Sequence, residues 1–143
     1  MASPPLTTRE YAYFRVSGKG DYSLITQKLG VEPTSGWSEG DINSRNGVPR
    51  NSMYWQLESG LDDKFPIEEH LSKIFSLLDP LQSKLINLGP EYDLCIQCVG
   101  YFPPSGHGIH LDQNTVLKAS NLGVAFDLDF YFVDDYGHDL DFC

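Results

Sequence analysis

Residues 66–89, PIEEHLSKIFSLLDPLQSKLINLG, decide the fold. Ile67, Leu71, Ile74, Phe75, Leu78, Leu81, Leu85 and Leu88 recur at three- and four-residue steps, which draws one apolar stripe along a helix. Pro66 opens it, at a position where a missing N–H is harmless, and Gly89-Pro90 closes it. Asp79-Pro80 breaks the stripe, so the pattern predicts a kink or two abutting helices with Asp79 as the second cap. Such a stripe needs an apolar surface to cover, and both flanks supply β-prone segments. Residues 52–58 alternate so that Met53, Trp55 and Leu57 share a face, and residues 93–102 form a further strand.

Working outward, residues 11–16 read as a strand closed by Ser17-Gly18-Lys19-Gly20. Asp21 can cap a helix carrying Leu24, Ile25 and Leu29, with Gly30 at the left-handed C-cap and Pro33 forbidding continuation. Residues 32–51, rich in Gly, Pro and small polar side chains, form a long loop. After a turn at 103–106, residues 108–111 suggest a short strand. Asp112 or Asn114 then caps a helix with Val116, Leu117 and Leu122, and residues 124–133 make the last strand. The predicted architecture is α/β: a single-domain layered sandwich, one mixed sheet with about three helices mostly on one face. Residues 1–10 are expected to be a flexible arm, 11–133 the domain and 134–143 an acidic tail. Residues 21–31 echo 114–124, through Leu24/Leu117, Leu29/Leu122, Gly30/Gly123 and Val31/Val124. A duplicated half and two similarly capped helices both account for that echo.

The chain has 143 residues, 41% of them hydrophobic, which suits one core. No apolar run approaches a membrane span, and the first residues lack the pattern of a secretory signal, so a soluble cytoplasmic protein is expected. Twenty acids against ten Lys and Arg give a net charge of −10, which argues against nucleic acid as a partner. Of the three cysteines, Cys95 and Cys98 form a C-x-x-C, but on a strand residues three apart point to opposite faces. Buried inert thiols are therefore predicted, rather than a redox pair or half a zinc site.

The order of several short motifs resembles a known family. These are the helix end Leu29-Gly30-Val31-Glu32-Pro33-Thr34, then Trp37, Gly40 and Arg50, then Trp55-Gln56-Leu57-Glu58-Ser59. Ile67-Glu68-Glu69-His70-Leu71 and Phe126-Asp127-Leu128-Asp129-Phe130-Tyr131 complete the series. Together, over roughly residues 11–133, they resemble the bacterial domain of unknown function 4279. That resemblance implies a small bacterial α/β domain; it implies no activity and transfers no site residue.

Candidate sites then rest on chemistry. No nucleophile elbow, Walker loop or dinucleotide fingerprint is present. Gly18-Lys19-Gly20 reads as a tight turn rather than a phosphate cradle, since Asp21 would repel the anion. Of the four histidines, His107 and His110 lie near Asp112, and His138 sits among Asp134, Asp135, Asp139 and Asp141, but neither spacing suits a metal. Neither a metal nor a cofactor is expected. Charge is unevenly placed: residues 85–143 hold nine acids and the single base Lys118, whereas residues 1–84 hold eleven acids and nine bases. In the last strand Phe126, Leu128, Phe130 and Phe132 alternate with Asp127, Asp129 and Tyr131, and Asp134 and Asp135 extend the acidic face. The leading expectation is a non-catalytic interaction module, an immunity-type inhibitor binding a basic protein through Asp127, Asp129, Tyr131, Asp134 and Asp135. The alternative is a small-molecule-binding domain or enzyme using the loop of residues 34–51, with Trp37 and Arg50 receiving an anionic ligand.

Overall fold

A computed structural model of the chain describes residues 8–106 and 108–133. The first strand, β1 (Arg9–Gly18), leads to helix α1 (Ser23–Leu29), the short strand β2 (Ser35–Trp37) and β3 (Met53–Glu58). Next come α2 (Ile67–Leu78), a 3-10 turn at Asp79–Leu81 and α3 (Gln82–Leu88), then β4 (Asp93–Phe102), α4 (Gln113–Leu122) and β5 (Ala125–Phe132). The strands form one mixed sheet in the order β2-β3-β1-β4-β5. All pairings are antiparallel except β4 with β5. This is the predicted α/β sandwich, with the Asp79-Pro80 break splitting one apolar stripe into α2 and α3.

One side of the sheet meets the helices. Phe14 and Val16 of β1, Met53 and Trp55 of β3, and Ile96 and Cys98 of β4 are fully buried there with Ile25, Leu71, Ile74, Leu78, Leu85 and Leu122. Trp55 also donates its indole N–H to the Thr26 hydroxyl at 3.1 Å, so a large core ring keeps its polar atom satisfied. Asp112, not Asn114, caps α4: its carboxylate accepts the Thr115 N–H at 2.7 Å, and this bond holds its pKa below the ordinary value. Gly30 and Gly123 both close their helices in the left-handed conformation (φ 72° and 71°), as the glycines after apolar stripes predict.

Several details differ from expectation. β1 starts at Arg9, inside the expected arm, because Arg9 is in register with Tyr101 and its guanidinium pairs with Asp63 at 2.8 Å. The loop of residues 32–51 contains β2, which the Gly and Ser content hides. Residues 108–111 form no strand; Ile109 and Leu111 pack against the core from an irregular segment. The helical echo does not extend to the topology. β4-α4-β5 joins neighbouring parallel strands, whereas β3 lies between β1 and β2, so two helices closed by the same left-handed glycine C-cap explain the repeat.

Candidate functional site

Among the described residues the helices leave the other side of the sheet uncovered. It carries Tyr11, Tyr13 and Arg15 of β1, Tyr54, Gln56 and Glu58 of β3, and Trp37 of β2, whose register partner is Tyr54. On β4 and β5 the same face holds Cys95, Gln97, Val99 and Tyr101, then Asp127, Asp129 and Tyr131. β4 forms the floor: Cys95, Gln97 and Val99 are buried, flanked in register by Arg15, Tyr13 and Tyr11 of β1.

Aromatic stacks pin this face. Trp37 lies on Tyr54 with ring centroids 4.5 Å apart, and the Arg50 guanidinium sits 3.8 Å above the Trp37 ring, so three planar groups pile together at the β2 end. The loop that brings Arg50 there is a small hairpin-like excursion. Arg50 N–H donates to the Asp41 carbonyl at 2.7 Å, and Gly40 N–H donates to the Arg50 carbonyl at 2.8 Å. At the other end Tyr101 stacks on Tyr131 at 5.0 Å. Burial pushes the phenol pKa values of Tyr13 and Tyr54 above the ordinary value, so both stay neutral hydrogen-bonding groups at physiological pH.

A polar network crosses β1, β4 and β5. Arg15 donates to Asp127 at 3.0 Å and to the Gln97 side-chain oxygen at 3.3 Å, while the Gln97 amide donates to Asp129 at 2.7 Å. Gln97 is only 5% exposed, and its three side-chain bonds, the third from its amide to the Asp127 carbonyl at 3.3 Å, account for why a buried amide is tolerated. The expected acidic residues Asp127, Asp129 and Tyr131 therefore do share one exposed face, but Arg15 offsets part of their charge. Leu128, expected in the core, is 41% exposed, because β5 is an edge strand. Asp134, Asp135, His107 and His138 lie outside the described residues.

The other candidate chemistries can be placed too. Cys95 and Cys98 are both free and buried, and they fall on opposite faces of β4. Burial raises both thiol pKa values, Cys98 to about 12, which is the reverse of an activated thiolate. The Gly20 amide donates to the Glu39 carboxylate at 3.0 Å, and Asp21 accepts the Ser23 N–H at 2.9 Å, so carboxylates already occupy this turn. Among the described residues no group of three or more His, Cys, Asp and Glu converges as metal ligands.

The model of the domain of unknown function DUF4279 matches residues 7–133, most of the chain. The chain belongs to the DUF4279 family. No curated protein and no solved structure matches it at a significant level. For this DUF4279 domain, sequence reasoning missed the breadth of the open face. Tyr11-Ala12-Tyr13-Phe14-Arg15-Val16 alternates as cleanly as the last strand does, and its odd positions are the polar and aromatic half of the surface. It also missed the pairing of Ser59 with His70, which lie in two separate motifs and are brought together only by the turn between β3 and α2.

Proposed function

We propose that this DUF4279 domain is a non-catalytic interaction module whose open sheet face docks a protein presenting basic side chains. The carrying observation is the composition of that face: Tyr, Trp and Arg side chains, the types enriched where proteins bind one another, bordered by the exposed carboxylates of Asp127 and Asp129. Stacking and hydrogen bonds hold the face in shape beforehand, which lowers the ordering cost of association. An inhibitor acting on a basic partner in a bacterial cytoplasm is the biological form this reading takes. Support for that setting comes from the net charge of −10 and from two buried cysteines left free.

Affinity capture with the wild-type chain and with an Asp127→Lys/Asp129→Lys variant tests the reading. Partners should be retained by the former and lost by the latter, and equal recovery would sink it. A second reading, an anionic small molecule held by Arg50, is favoured by the Trp37–Arg50 stack, which fixes the guanidinium plane. Titration of Trp37 fluorescence with small carboxylates and phosphates distinguishes it, because a protein partner alone predicts no saturable response.

A further inference from the structure

Where β3 leaves β1, the sheet opens into a cleft of about 390 Å³, within the range of small-ligand sites. The two strands pair from Gly18↔Met53 to Tyr13↔Glu58, and farther along the Glu10 N–H donates to the Asp63 carbonyl at 3.0 Å and closes the gap. Backbone amides alternate in direction along a strand, so the Ala12 N–H points the same way as that of Glu10, into the opening.

On the helix side the cleft reaches Ser59 and His70, 3% and 1% exposed. The Ser59 hydroxyl oxygen accepts the Leu61 N–H at 3.2 Å and lies 2.6 Å from His70 Nδ1. Giving its one proton to Nδ1 satisfies this buried hydroxyl in both directions, and the neutral imidazole then carries its own proton on Nε2. His70 Nε2 has no hydrogen-bond partner among the described residues. A buried polar atom of this kind calls for a partner. Two N–H donors thus border the floor.

The rim has the opposite character. Glu58, Asp62 and Asp63 face a single guanidinium, that of Arg9, which Asp63 already holds at 2.8 Å. The Tyr11 and Tyr13 rings form one wall. Carboxylates and ring faces together attract a cation. We propose that the cleft binds an α-amino amide, with its ammonium at Glu58 and Asp62 and its carbonyl oxygen on the Ala12 and His70 N–H groups. A free carboxylate in the carbonyl's place is disfavoured, since the lining holds three carboxylates against one guanidinium. The cleft shares Tyr11, Tyr13 and Glu58 with the open face, but its ligand reading does not rest on the docking proposal.

The test is nitrogen NMR of the His70 ring in the full chain, titrated with L-leucinamide. The free protein should show the Nε2–H tautomer, and leucinamide should shift the ring nitrogens saturably. N-acetyl-leucinamide and L-leucine should each bind at least about tenfold more weakly, as should leucinamide to a Glu58→Gln variant, the size of one lost charge-assisted contact. Glu58 is exposed, so that variant keeps the fold. An Nδ1–H tautomer, no saturable shift, or affinity unchanged by acetylation, by the free carboxylate or by Glu58→Gln would each overturn the proposal.

Discussion

The two faces of this sheet are built from the same strands, one residue out of phase, and they are held together by different physics. On the helix side Phe14, Trp55, Ile96 and Cys98 are sealed from water, and shape and apolar area do the stabilising. On the open side Trp37 on Tyr54, Tyr101 on Tyr131, and the Arg15–Gln97–Asp129 network hold side chains in place with no covering layer among the described residues. A surface with no helices above it can still be rigid when aromatic and bidentate groups lock one another. Rigidity without a cover is what a recognition surface needs. The division predicts that substitutions on the two sides separate cleanly into losses of stability and losses of binding.

The largest break in that pattern should come from Trp55→Ala. It leaves a large cavity on the helix side and orphans the Thr26 hydroxyl, so unfolding free energy should fall by about 3–5 kcal/mol, read as a lower urea midpoint. Next comes a contrast within one strand. Cys98 lies on the core face and Cys95 on the open face, and the Cys98 thiol is pushed from 9.0 to about 12. The unfolded thiol ionises near 9 while the folded one does not, so this group's stabilisation is intact below pH 9 and lost as pH rises toward 12. Stability measured between pH 9 and 11 should therefore decline less steeply in Cys98→Ala than in the wild type. Cys95→Ala should flatten the decline by a smaller amount, and a larger effect there would contradict the assignment of faces.

The helix side was largely legible in the sequence and the open side was not. Residues 67–88 announce their stripe because every fully buried position in it except His70 is apolar, and Met53, Trp55 and Leu57 announce the face they meet. The break at Asp79-Pro80 and the caps at Gly30, Asp112 and Gly123 were readable because cap chemistry is local, but Asp21 and Asp79 are not the expected caps: α1 and α3 are preceded by Tyr22 and Leu81 with no side-chain cap bond. β2 was missed because Ser35-Gly36-Trp37 is three residues with only Trp37 strand-prone, and it is recruited by β3. The polar face joins residues as far apart as Arg15 and Asp127, or Trp37 and Tyr54, and strand order cannot be read from alternation alone. The same is true of Ser59 and His70. Each lies in its own short motif, and nothing marks the two as partners until the chain turns between β3 and α2.

On the open side the effects should be smaller and ordered by burial. Gln97→Leu removes a buried amide that bonds both Arg15 and Asp129, leaving two charged groups without that partner, and should cost about 1–3 kcal/mol. Trp37→Ala loses a stack with Tyr54 and the seat of Arg50, and about 0.5–1.5 kcal/mol follows from the stacked pair.

Asp127→Asn should have the least effect on folding and the clearest meaning. Its partner Arg15 is 3.0 Å away, but the Asp127 side chain is 52% exposed, so water screens the pair and its loss should cost under about 1 kcal/mol, less still in high salt. Arg15 keeps its bond to Gln97, so the network survives the change. If the open face recognises a basic partner, this nearly neutral substitution should still weaken capture, since it removes an exposed negative charge and leaves Arg15 less offset. Measured together, urea midpoint and partner recovery would then move independently. Parallel losses in both would mean that the face serves the fold, and that the distinction between the two sides of the sheet is one of degree.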